Sequence, residues 1–115
     1  MGEDCLFCKI VAGDIPANVV YQDDHVFCFR DIDPQAPTHV LVVPREHIPN
    51  LAALDQEHQG LVSRIMAACN QVARLEGVAE SGYRVSVNCG PDGGQAVPHV
   101  HFHVLGGRRL SGALG

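Results

Sequence analysis

Three histidines stand at alternate positions in His99-Val100-His101-Phe102-His103-Val104, directly after the glycine-rich stretch Gly90-Pro91-Asp92-Gly93-Gly94-Gln95. On a β-strand, side chains alternate between the two faces, so the three imidazoles would share one face at steps of about 7 Å. Val100, Phe102 and Val104 would share the other face and pack on a helix. The first face would be an open shelf lined with imidazoles. Three rings at this spacing could be a fortuitous polar face, a metal site or a catalytic surface. The adjacent glycine-rich turn favours catalysis on a phosphate, because such turns expose N–H groups and let a ligand approach the backbone closely. Neutral imidazole can attack phosphorus in line, forming a phosphohistidine-type intermediate that water later clears. Neighbouring imidazoles can hold the right tautomer, stabilise charge on the oxygens and pass a proton to the leaving group. No metal is needed for that scheme.

A second group with chemical potential is Cys5-x-x-Cys8, whose spacing suits a metal. A structural zinc takes four ligands, so two more would come from elsewhere in the chain. The alternative is that both are simple helix residues. Cys28 and Cys69 read as core, Cys89 as a packed residue near the glycine loop, and His25 and His58 as solvent-facing. Five cysteines is an odd number, and reduced thiols in a cytoplasmic setting are the natural reading.

The 115 residues amount to one domain, taken as 1–115, and can bury a core without disulfides. A hydrophobic fraction of 46% argues against a disordered chain, and the net charge of −5 without a basic stripe argues against binding a nucleic-acid polymer. No apolar run approaches the length of a membrane span. The start, MGEDCLFCKIV, carries early acids and does not read as a signal peptide or a myristoylation site.

These groups must be positioned by elements legible in the pattern. Residues 5–12 read as a short helix stopped at Gly13, and 17–22 and 25–31 as strands about an Asp23-Asp24 turn. Residues 32–37 form a loop interrupted by Pro34 and Pro37, and 38–43 form a buried strand ended by Pro44. A long helix follows Asp55, its expected N-cap, and stops at Gly77. Its apolar stripe contains Leu61, Ile65, Cys69, Val72 and Leu75, widened by Val62, Met66 and Ala73. Residues 83–88 and 99–105 complete about five strands. Short turns and one long interruption give an α+β fold with an antiparallel sheet rather than repeated βαβ units.

With these motifs in place, the chain from Cys5 to Arg108 resembles the histidine triad, or HIT, family, and its Hint-like branch of nucleoside phosphoramidate hydrolases. The resemblance rests on the His99–Val104 signature, on Asp31-Ile32-Asp33-Pro34-Gln35-Ala36-Pro37-Thr38-His39, and on Asn88 through Gln95. It implies a five-stranded antiparallel sheet with one long and one short helix, usually paired in a homodimer. It implies cleavage of purine nucleoside 5′-phosphoramidates to a nucleoside monophosphate and an amine. His101 aligns with the nucleophile that takes the nucleotide, His103 with a phosphate contact in the proton network, and His39 with an assisting histidine. The main-chain carbonyl at His99 aligns with the group that orients the nucleophile. Asp31 aligns with the acid on the ribose hydroxyls and Ile32 with a wall of the base pocket. Asn88, Gly94 and Gln95 align with the phosphate-side loop. Ala96 stands where Hint proteins commonly carry a serine that helps the leaving group, and the tail Leu110–Leu114 lacks their tryptophan. The same resemblance implies a structural zinc held by Cys5, Cys8, His47 and His99. The competing functions are hydrolysis of dinucleoside polyphosphates or another nucleotidyl ester, and a zinc-stapled nucleotide-binding or adaptor module with little turnover.

Overall fold

The computed structural model describes residues 4–115. The reading of residues 1–3 as lacking a leader signature lies outside the described residues.

Five strands form a single antiparallel sheet in the order β1-β2-β3-β5-β4. They are β1 (Val19–Gln22), β2 (Val26–Arg30), β3 (Thr38–Pro44), β4 (Tyr83–Val87) and β5 (Phe102–Gly106). Helix α1 (Leu6–Val11) precedes them, and α2 (Gln59–Leu75) enters between β3 and β4. The element set is the one the periodicity implied.

β3 is central and all seven of its residues are buried, because a helix covers each face of the sheet at this point. One face carries Val26, Cys28, Val40, Val42, Phe102 and Val104 against Ile65, Ala68, Cys69 and Val72 of α2. The other carries Phe27, Phe29, Leu41 and Val43 against Phe7 and Ile10 of α1. The period-2 alternation of β2 and β3 therefore sorts their side chains between two cores rather than between core and water. In β5 the alternation instead leaves His103 and Leu105 half-buried between buried neighbours.

α2 buries Ile65, Ala68, Cys69, Val72 and Ala73, a stripe at steps of three and four. Met66 and Leu75, expected on that stripe, are 39% and 53% exposed. Each lies roughly a quarter-turn from its centre at about 100° per residue, so the stripe is narrower than expected. Asp55 caps a 3₁₀ turn over Gln56–His58 rather than α2 itself; that turn runs straight into the helix. His58 is correspondingly half-buried, its ring closing the reciprocal cap on Asp55. Gly77 does end α2. At φ +74° it lets Val78 N–H reach Ala73 O and its own N–H reach Arg74 O, the paired bonds of a left-handed helix stop.

The expected strand over 99–105 is shorter, beginning only at Phe102. Pro98 offers no N–H, His99 N–H turns back to Val97 O, and Val100 N–H bonds Ile48 O outside the sheet. The first two triad histidines therefore lie in an approach segment, not on the strand.

Candidate active site

His99 and His101 are nearly inaccessible, at 0% and 5% exposure. They still share a face, since Phe7 packs edge-on against both rings, at 6.0 Å and 5.0 Å between centroids. The single open shelf of three imidazoles is corrected accordingly: His101 and His103 line a cleft, while His99 is sealed behind Phe7.

The hydrogen bonds assign a tautomer to each cleft ring. His101 Nδ1 lies 2.8 Å from His99 O. A carbonyl only accepts, so Nδ1 carries the proton and Nε2 keeps its lone pair. Gln35 N–H donates to His39 Nδ1 at 3.0 Å, which leaves the neutral ring's proton on Nε2. His39 Nε2–H then donates to His103 Nδ1 at 2.9 Å, placing the His103 proton on Nε2. Two adjacent rings, 5.2 Å apart between centroids, thus carry opposite chemistry: His101 offers a nucleophilic nitrogen and His103 a donor.

Burial, reinforced by the neighbouring His101 and His39, pushes His103 down to about 4 against an opposing pull from Asp31. His39 is also lowered, because burial outweighs Asp31, whose carboxylate lies 3.5 Å from His39 Nε2. Both rings are therefore neutral near pH 7, as the tautomer chain requires. The unfolded chain takes up protons below about 6.5 that the folded His103 refuses until about 4. Stability present above pH 6.5 is accordingly lost as pH falls toward 4. The urea midpoint is expected to drop between pH 7 and pH 5, and to drop less steeply in His103→Gln.

Asp31, Ile32, Ala96, His101 and His103 all line one cleft of about 870 Å³. Asp31 Oδ1 caps Asp33 N–H at 2.8 Å, and Ile32 stands fully exposed at the rim. Asn88, Gly94 and Gln95 are not among the lining residues. They shape the loop behind it. Asn88 Nδ2 donates to Gly93 O, and Gln95 Nε2 donates to Pro49 O and Val97 O. The amides of Gly90, Gly94 and Gln95 bond Gln95 Oε1, Pro91 O and Gly90 O within the same loop. Ala96 and Val97 are the loop residues that reach the cleft.

Sequence reasoning missed the opposite wall. Leu6, Phe7 and Ile10 of α1, with Ile15, Phe29 and Leu41, make the cleft mainly apolar. The run Leu6-Phe7-x-x-Ile10 was the available signal, but it says nothing of which face of the sheet α1 covers.

Cys5, Cys8, His47 and His99 converge as expected, with one donor atom from each lying within 4.8 Å of the others. Cys5 Sγ lies 3.4 Å from His99 Nδ1, and Cys8 Sγ lies 3.2 Å and 3.5 Å from the Nδ1 atoms of His47 and His99. A tetrahedral site with metal–sulfur near 2.3 Å and metal–nitrogen near 2.0 Å separates S and N ligands by about 3.5 Å. The four residues therefore fit a metal. His99 Nε2–H donates to Pro44 O at 2.9 Å, which turns Nδ1 toward the sulfurs as a ligand. Burial, then the adjacent Cys5, push the Cys8 thiol up to about 11, and a bound cation would reverse that shift. Asp31, His39 and His103 also cluster, but the bonds above already link them.

A family model described as HIT domain matches residues 12–110. The chain belongs to the HIT domain family. This HIT protein is 46% identical over 114 residues to the purine nucleoside phosphoramidase of Escherichia coli K12, covering 99% of this chain and 96% of that one. It is 48% identical to an uncharacterized HIT-like protein of Synechococcus elongatus, covering 96% of each. Its fold overlays a HIT family hydrolase from Legionella pneumophila with a TM-score of 0.95, at 44% identity and with 97% and 100% of the two chains covered. Among the described residues, no helix of the HIT protein is long and apolar enough to cross a membrane.

Proposed function

We propose that this HIT protein hydrolyses purine nucleoside 5′-phosphoramidates to a nucleoside monophosphate and an amine, through a nucleotide bonded to His101 Nε2. The observation that carries the reading is the pair of opposed tautomers. His101 is fixed as a nucleophile by His99 O, and His103 beside it is fixed as a donor. The name of the Escherichia coli relative points to the same reaction.

His101 Nε2 attacks phosphorus, the P–N bond breaks, and its electron pair goes to the amine nitrogen, which takes a proton from water in the open cleft. The positive charge on the substituted imidazole falls against His99 O, to which its Nδ1–H is bonded. His103 Nε2–H donates to a phosphoryl oxygen as charge accumulates there. The hydroxide left by that proton transfer then attacks phosphorus, the bond to His101 Nε2 breaks with its electron pair returning to the ring, and nucleoside monophosphate is released beside neutral imidazole. Asp31 binds the ribose hydroxyls, and Ile32 with the apolar wall holds the base. Asn88, Gly94 and Gln95 hold the phosphate-side loop. Turnover of adenosine 5′-phosphoramidate in clear excess over diadenosine polyphosphate supports this reading; the reverse order assigns the enzyme to polyphosphates.

Ala96 places no hydroxyl beside the departing amine. Ala96→Ser is expected to raise kcat for basic alkylamine leaving groups by roughly tenfold, and much less for arylamines that leave without proton assistance. Rates against a series of amine leaving groups check this.

Zinc is the metal we assign to Cys5, Cys8, His47 and His99. A closed set of two thiolates and two imidazoles suits it, and such a site supplies a cross-link, not chemistry. A homodimer is proposed on the unpaired outer edge of β4 and the exposed Val85 and Met66. Five cysteines, none in a disulfide among the described residues, suit a reducing cytoplasm.

A further inference from the structure

We propose that Arg108 is a positioning residue for the reaction, holding Gln35 by its carbonyl and so placing the Gln35 N–H that sets the tautomers of His39 and His103. The inference rests on the proposed roles of His101 and His103.

Residues 31–37 form a loop without regular structure, and two of its seven residues are prolines with no N–H to donate. Gln35 N–H is the donor that faces His39 Nδ1. Gln35 Nε2 donates to Asp33 O at 3.0 Å within the loop, and the rest of its hold comes from the far end of the chain. Thr38, just after the loop, pairs with Gly106 at the end of β5. Gly107 follows with φ +92°, and a Cβ built there would lie 2.8 Å from Pro37 Cβ. Only glycine lets the chain press this close to the loop. Arg108 then reaches over and donates from Nη2 to Gln35 O at 2.9 Å. Its Nη1 donates to Arg109 O at 3.1 Å, which fixes the guanidinium plane. Gln35 is thus gripped at its carbonyl by Arg108 while its amide addresses His39.

The consequence passes through two rings. With Gln35 N–H withdrawn, His39 Nδ1 is free to carry the ring proton, and His39 Nε2 becomes an acceptor. His103 Nδ1 must then donate to it, and the proton leaves His103 Nε2. The nitrogen that faces the phosphoryl group changes from donor to lone pair, which repels the oxygens it should stabilise. His101 is untouched, because its tautomer is set by His99 O. Arg108 is exposed and outside the packed core, so its replacement should spare the fold.

The test compares wild type, Arg108→Ala and Arg108→Lys. The ring nitrogens of ¹⁵N-histidine-labelled, ligand-free protein are followed by NMR, and kcat is measured on adenosine 5′-phosphoramidate. Wild type should show His39 and His103 as Nε2–H tautomers. Arg108→Ala should mix in the Nδ1–H forms and lower kcat about tenfold, the scale of one charge-assisted hydrogen bond. Arg108→Lys, which keeps a cationic donor, should recover most of both. Adenosine, which has no phosphate, should bind all three within about twofold. Unchanged ring signals and unchanged kcat in Arg108→Ala overturn the inference, as does equal loss of kcat and adenosine affinity. If the ring signals respond as stated but wild type does not turn over the phosphoramidate, the positioning role stands and the functional reading falls.

Discussion

Replacing His101 with alanine is expected to cut phosphoramidate turnover by about 10³-fold or more, the usual consequence of removing a covalent nucleophile. Affinity for a nucleoside should change far less, because the apolar wall of the cleft comes mainly from α1 and the sheet, with His101 only one of its lining residues. The substitution also removes the donor to His99 O and the edge contact with Phe7, so His101→Asn, which retains a side-chain N–H, is the companion variant. Both should lose turnover alike, which separates lost chemistry from lost packing. His103→Gln keeps a donor in place of a donor, and a smaller loss of about 10- to 100-fold is expected. Steady-state kinetics on the three variants check this order. A His101→Ala enzyme with near-normal kcat would remove the nucleophile from the scheme.

Stripping the metal should have the second largest effect. Six residues are too few for α1 to persist by its own hydrogen bonds. Its hold on the sheet is the contact of Phe7 and Ile10 together with the two cysteines that flank its first turn. The zinc proposed for Cys5, Cys8, His47 and His99 would tie that helix to the segment after β3 and to the approach to β5. Removing zinc, or replacing Cys8 with serine, is expected to lower stability by several kcal/mol. Because α1 carries Leu6 and Phe7 into the cleft wall, KM for the nucleotide should rise more than kcat falls. Thermal melts with and without chelator, alongside elemental analysis, measure the first part; KM before and after zinc restoration measures the second. Protein that is purified without metal and is indifferent to chelator contradicts the assignment.

The strands, the long helix and the antiparallel connectivity were all legible in the sequence. Val26–Arg30 lies in the alternating stretch 25–31, Thr38–Pro44 is an apolar, β-branched run buried along its whole length, and Gly77 stops α2 by the local backbone rule that glycine serves. What local pattern missed was decided by distant partners. The H-x-H-x-H spacing suggests a strand from residue 99, but Val100 N–H finds Ile48 O rather than a neighbouring strand. By spacing alone His99 is equivalent to its two companions; only the family resemblance set it apart, and Cys5 and Cys8, more than ninety residues earlier, do lie against its ring. Gln35 gave no signal as the group that orients His39, since a backbone N–H carries no residue identity. Of the four metal-binding candidates, Cys5 and Cys8 were legible in their spacing, whereas His47 and His99 came from the family resemblance; the cleft wall depends on which face α1 covers.

The most direct test is to quench the reaction of wild-type protein with adenosine 5′-phosphoramidate in the pre-steady state and to map the trapped nucleotide by peptide mass spectrometry. An acid-labile adenylyl group on His101, attached through Nε2 and absent from His101→Ala, is the predicted result. An adduct on His103 or His39, or rapid turnover in which no adduct ever forms, would contradict the nucleophilic role of His101.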